Sequence, residues 1–198
     1  WTGTEYQGDK MVFMKLDPQG NLLLKKFYNP PIATWGPDFE FWPTTNPKSL
    51  AYAVAVLADG SYLFSGVSVP ELNILPSPTN MLVYRTDQNL NVLWNKDYFD
   101  NDFCYPGNAG RSIAQASDGS IYIACQKYGY CLDGGSPHFS IYKFNLQGDT
   151  LWNKKVGPEC NGAAEIILTS DENFVVTDGN TLLMKMNLTG EMLWYKSL

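Results

Sequence analysis

An all-β fold built from repeated four-stranded antiparallel sheets is what this 198-residue sequence predicts, on three observations. The first is a ten-residue phrase that occurs twice, "NLQGDTLWNK" from Asn145 and "NLTGEMLWYK" from Asn187. The second is a set of short alternating apolar runs, each closed by a turn rich in Asp, Asn and Gly. The third is an aromatic share of 14% against a charged share of 17%, which suits half-buried pleated surfaces.

Aligning on the Leu-Trp pair brings Leu93-Trp94, Leu151-Trp152 and Leu193-Trp194 into register, with Leu23-Leu24 as a fourth copy in which leucine replaces the indole. Upstream of each lies an alternating run, "MVFMKLD", "MLVYRTD", "SIYKFN" or "LLMKMN", followed by a tight turn such as Asp17-Pro18-Gln19-Gly20. Each copy therefore reads as a β-hairpin. A second hairpin precedes the last three copies, in "LAYAVAVLADGSYLFSGVS", "RSIAQASDGSIYIAC" and "AAEIILTSDENFVVTDG". Their turns are Asp59-Gly60, Asp118-Gly119 and the glycine-less Asp171-Glu172. Four strands per unit follow: three full units at 50–99, 110–156 and 163–198, preceded by a partial unit at 1–28. Units of this kind are blades of a β-propeller, and the single domain 1–198 reads as a portion of a larger one. Trp94, Trp152 and Trp194 are expected to be structural, each ring wedging one blade against the next.

The motif "KxDxxGxxLWxK" with "DGSYxxxG" resembles the repeat of secreted bacterial β-propeller proteins, many of them adhesin-like chains exported by type IX secretion. More distantly it resembles the tryptophan-docking repeat of quinoprotein (PQQ) propellers. The resemblance covers nearly the whole chain outside the long loops. It implies a secreted or cell-surface location.

In a four-stranded blade, the first-to-second and third-to-fourth turns share one end and the remaining connections share the other. Here the first kind are all tight, whereas the second kind carry insertions at 28–49, 69–80, 99–109 and 128–139. The loop-rich end is thus the expected binding face. Its candidate contacts to a protein or carbohydrate partner are Trp35, Phe39, Phe41 and Trp42 from the first insertion, with Tyr105, Tyr130 and His138 from later ones. Packing of the same rings as a local lid is the competing reading.

The four cysteines fall at or near that face and suit disulfides in an exported protein. Three pairings are open, and Cys125–Cys131 with Cys104–Cys160 is the favoured one. A net charge of −6 without a basic cluster argues against nucleic acid, and no apolar stretch is long enough for a membrane span. Remaining blades or domains of a longer chain are further expected partners.

Catalytic motifs are missing: there is no GxSxG, HExxH or Walker loop, and His138 is the single histidine. Asp100 and Asp102 form a DxD pair too sparse for a calcium loop. The expectation is a non-catalytic binding, adhesion or assembly module with no cofactor and no metal. The alternative is a propeller enzyme, a quinoprotein-type oxidoreductase or a glycan-active one, with its site in the central channel.

Overall fold

The structure is a computed structural model, and it describes residues 10–28, 48–69, 79–98, 107–128, 138–156, 165–178 and 182–197. Every regular element among them is a β-strand. They run β1 (Met11–Leu16), β2 (Leu22–Tyr28), β3 (Lys48–Val56), β4 (Tyr62–Val69), β5 (Asn80–Thr86), β6 (Val92–Tyr98) and β7 (Gly107–Gln115). The second half continues with β8 (Ile121–Tyr128), β9 (His138–Phe144), β10 (Thr150–Val156), β11 (Glu165–Leu168), β12 (Asn173–Thr177), β13 (Leu182–Asn187) and β14 (Met192–Ser197).

The strands form one two-stranded sheet, β1-β2, and three four-stranded sheets, β3-β4-β5-β6, β7-β8-β9-β10 and β11-β12-β13-β14. All neighbours are antiparallel and sequential, and the first-to-second and third-to-fourth strands are joined by links of four or five residues, too short for a parallel crossover. This is an all-β architecture of propeller-type blades, taken in chain order.

One turn design closes the seven tight hairpins. In β1-β2 the Asp17 N–H donates to Asn21 O at 2.9 Å and the Gly20 N–H donates to Asp17 O at 3.0 Å. The same pair of bonds recurs in six further turns, at Leu57, Asp87, Ala116, Asn145, Thr169 and Asn187. The geometry needs one left-handed residue. Glycine supplies it in five turns, whereas Leu90 (φ 58°) and Glu172 (φ 54°) adopt it without glycine. Leu90 is held there because its side chain is buried and the Tyr28 hydroxyl donates to its carbonyl at 2.6 Å.

The core lies between sheets. Alternate residues of each middle strand point to opposite neighbours, so strands buried on both faces read as continuous apolar runs. In β5, Leu82 and Tyr84 join Phe13 and Tyr28 of the first sheet, while Met81 and Val83 join Ile121, Ile123 and Phe144 of the third. Tyr122, Ala124 and Ile141 then meet Phe174, Val176 and Met184 of the fourth sheet. Near the first strands the backbones approach closely: a Cβ at Gly110 would come within 2.8 Å of Ser65 Cβ.

Candidate functional site

The sheets have two chemically different ends. At the first end, each fourth strand grips the turn of the following sheet. Trp94 donates from Nε1 to Leu146 O at 3.0 Å, Tyr98 donates from its hydroxyl to Gly148 O at 2.6 Å, and Lys96 reaches Asp149 at 2.9 Å. Trp152 lies against Gly190, and Lys154 donates to Thr189 O at 2.7 Å. In the first sheet Leu24 stands in for the indole, while Lys26 donates to Asn91 Oδ1 at 2.6 Å. Trp94 and Trp152 are half-buried, so truncating either should cost less than the ~3–5 kcal/mol of a fully buried ring.

Trp194 is different. It stands on the last described sheet, is 40% exposed, and shares β14 with exposed Met192, Leu193 and Tyr195. At the opposite side, the Gly20 turn has nothing within 4 Å of where a Cβ would sit. One indole and one turn of this recurring contact are thus left unmatched among the described residues.

Carboxylates at this end are satisfied locally. Asp17 is held below the usual carboxylate range by the Asn21 side chain first and then by backbone N–H donors. Asp87 and Asp149 are lowered likewise, first by Asn91 and by Asn145 respectively. Third-strand cations add a second pattern: Arg85 pairs with Asp59, Lys143 approaches Asp118 at 3.8 Å, and Lys185 meets Asp171 at 2.6 Å. An open notch of roughly 350 Å³ lies between the Asp59 and Asp87 turns, but both carboxylates already have partners.

The second end carries the long connections. Trp35, Phe39, Phe41, Trp42, Tyr105 and Tyr130 lie outside the described residues, as do Cys104, Cys131 and Cys160. His138 opens β9, its backbone paired with Lys127 of β8 at the loop-bearing end. Cys125 sits within β8, fully buried between the second and third sheets, and the strand runs on to Tyr128.

Sequence reasoning missed a polar row on the second sheet at this end. Ser49 pairs with Ser68, Ser68 pairs with Asn80, and Asp97 pairs with Leu82, two residues along the same face from Asn80. Ser68, Asn80 and Ser49 are only 1%, 3% and 4% exposed. Among the described residues, their side-chain oxygens, with both of Asp97, have no hydrogen-bond partner of ordinary geometry. Burial raises the Asp97 pKa to about 6; the Ser68 hydroxyl faces the carboxylate and offsets part of the rise, although the two do not form a hydrogen bond of ordinary geometry. Tyr84 is raised to about 12, first by burial and then by the Asp97 charge. The available signal was parity: Ser68, Asn80 and Asp97 all fall on core-facing positions of strands otherwise apolar there.

Among the described residues no three His, Cys, Asp or Glu side chains gather as a metal cluster. None of the described helices is long and apolar enough to cross a membrane, since the described elements are strands.

No protein-family model matches the sequence, and neither does any curated protein. Among solved structures, the chain is similar to BamB from Moraxella catarrhalis at 10% identity, over 90% of this chain and 80% of that one, with a TM-score of 0.25. So loose a superposition carries no argument about function. On its own strand order and register, this chain is an all-β protein of propeller-type antiparallel sheets.

Proposed function

We propose that this protein is a non-catalytic, extracellular or cell-surface module that binds a protein or carbohydrate in adhesion or assembly, through the loop-bearing end of its sheets. The observation that carries this reading is the contrast between the ends. Seven hairpin turns at one end share a single hydrogen-bond design and satisfy their own polar groups. Five of the six connections at the other end, 29–47, 70–79, 99–106, 129–137 and 157–164, are far longer than joining adjacent strands requires, and only 178–181 is short. Variable segments displayed on a rigid scaffold are the usual arrangement of a recognition surface.

The aromatic residues of the first insertion supply the contact in this reading, and disulfides among the cysteines stiffen it. Further sheets of the same repeat are the second class of partner, and the unmatched Trp194 and Gly20 turn support that part.

A glycan array and a surface-protein capture assay test the proposal. Trp35→Ala and Trp42→Ala should each weaken binding at least ~10-fold while leaving the melting temperature within about 2 °C. Binding that survives both substitutions, or turnover of a bound glycan, would overturn it. Stabilisation by PQQ would move the protein to the quinoprotein class.

A further inference from the structure

The first and fourth sheets each expose a face that the sheets between them bury. On the first sheet, Met14 and Leu16 are 59% and 54% exposed. Counting from the turns that open at Asp17, Asn145 and Asn187, they take the places of Tyr142 and Phe144 in β9 and of Met184 and Met186 in β13. Those four side chains are at most 4% exposed, because each faces the preceding sheet: Tyr142 and Phe144 cluster with Met81 and Val83, and Met184 and Met186 with Tyr122 and Ala124. On the fourth sheet, Ile167, Val175, Lys185 and Trp194 stand side by side on the face turned away from the third. The equivalent row of the second sheet, from Ala55 through Leu63 and Arg85 to Trp94, covers the turn of the third sheet. There Trp94 Nε1 and Arg85 Nη1 both donate to Leu146 O, at 3.0 and 2.8 Å, and the next sheet repeats the contact when the Tyr122 hydroxyl donates to Leu188 O at 3.0 Å.

The Gly20 turn is built to receive such a neighbour. Asn21 Nδ2 donates to Asp17 Oδ2 at 2.8 Å, just as Asn91 Nδ2 donates to Asp87 Oδ2 at 2.7 Å in the second sheet. Asn91 Oδ1 then accepts from Lys26 of the preceding sheet at 2.6 Å, whereas no described lysine reaches Asn21 Oδ1. Pro18 O, the counterpart of Leu146 O and Leu188 O, likewise receives no donor among the described residues. Lys196 follows Trp194 by two residues, as Lys26 follows Leu24.

We infer that a second copy of this chain lays its fourth sheet on the first sheet of its neighbour, with Trp194 covering the Gly20 turn and Lys196 donating to Asn21 Oδ1. The inference rests on the reading of same-repeat sheets as partners given above, and it commits that reading to one partner. A second copy fits better than an unrelated sheet because this one chain carries both halves of the contact, each matching its internal counterpart residue for residue. Covering Met14 and Leu16 on one molecule and Ile167 and Trp194 on the other removes exposed apolar surface from both, which drives the association.

Sedimentation velocity of the full chain from about 1 to 100 µM tests this, and the average mass should rise across that range. Met14→Glu places a charge in the contact at a position already exposed in the single molecule. It should abolish the rise while moving the melting temperature of the dilute protein by less than about 2 °C. Trp194→Ala should weaken association at least ~10-fold. Lys196→Glu and Asn21→Lys should each weaken it ~5-fold, and the two combined in one chain should restore it, a rescue that damage to the fold would not produce. A chain that stays monomeric at the highest concentration, or that associates equally well as Met14→Glu and Trp194→Ala, overturns the inference. For a monomeric chain, a photocrosslinker at Ile167 that captures a different polypeptide carrying the Leu-Trp repeat overturns this inference alone. Capture of nothing overturns the wider reading with it.

Discussion

The turn-bearing and loop-bearing ends of the sheets treat their carboxylates in opposite ways. At the turns, Asp17, Asp87 and Asp149 each find donors within four residues along the chain, and their carboxyl groups are held below the usual range. At the loop end, burial of Asp97 outweighs the help of the Ser68 hydroxyl, and its pKa rises to about 6. The difference teaches where this fold is self-sufficient. A turn that closes its own hydrogen bonds can be repeated without regard to surroundings, whereas a carboxylate on a core-facing strand position takes its environment from the strands laid beside it.

The largest expected effect lies in the grip of each fourth strand on the following turn. Trp94→Ala removes a half-buried indole and its 3.0 Å bond to Leu146 O, and should destabilise by ~2 kcal/mol in urea unfolding. Trp194→Ala should cost under ~1 kcal/mol, because its ring has no following turn among the described residues. Equal losses would show that the grip on the next turn is not what stabilises the sheets.

Glycine substitutions sharpen the same contrast. Gly148→Ala imposes a left-handed backbone on alanine and drives its Cβ to 2.9 Å from the Trp94 ring, so about 2–3 kcal/mol should be lost. Gly20→Ala meets only the backbone penalty, about 1 kcal/mol. Thermal melts of the pair separate conformational strain from contact.

Protonation gives smaller effects of opposite sign. Asp97 has a folded pKa above its unfolded value of 3.8, so between about pH 4 and 6 the unfolded chain loses its proton first. Stability should therefore fall as pH rises through that window, by roughly 1–2 kcal/mol after allowance for partial exposure. Asp97→Asn should remove the slope. The turn carboxylates have lowered folded pKa values, so their contribution is present above pH 3.8 and disappears as pH falls below it. This is the smallest effect, read as a shallow drop in the unfolding midpoint on acidification that 1 M salt leaves nearly intact, since hydrogen bonds from neighbouring residues dominate.

Much of the fold was legible because turn chemistry is local. Asp59-Gly60 and Asp118-Gly119 between alternating runs announce hairpins, and the Leu-Trp phrase announces their repetition. Leu90 was less legible: nothing in "DQNLN" marks a left-handed leucine, since what holds it is Tyr28 from another sheet, 62 residues away in sequence. The polar row was invisible for a related reason. Ser49, Ser68, Asn80 and Asp97 become neighbours only once four strands are laid side by side, and a serine in a strand reads as solvent-facing until its parity is known. The loop aromatics remain a matter for binding experiments, because they lie outside the described residues.

The unmatched Trp194 and the open Gly20 turn have a geometric corollary. Stud and socket are different objects on opposite flanks, so two molecules joined through them would meet head to tail and not across a two-fold axis. Growth by that route has a polarity: it closes into a ring if the rotation per unit divides the circle, and otherwise runs on as a fibre.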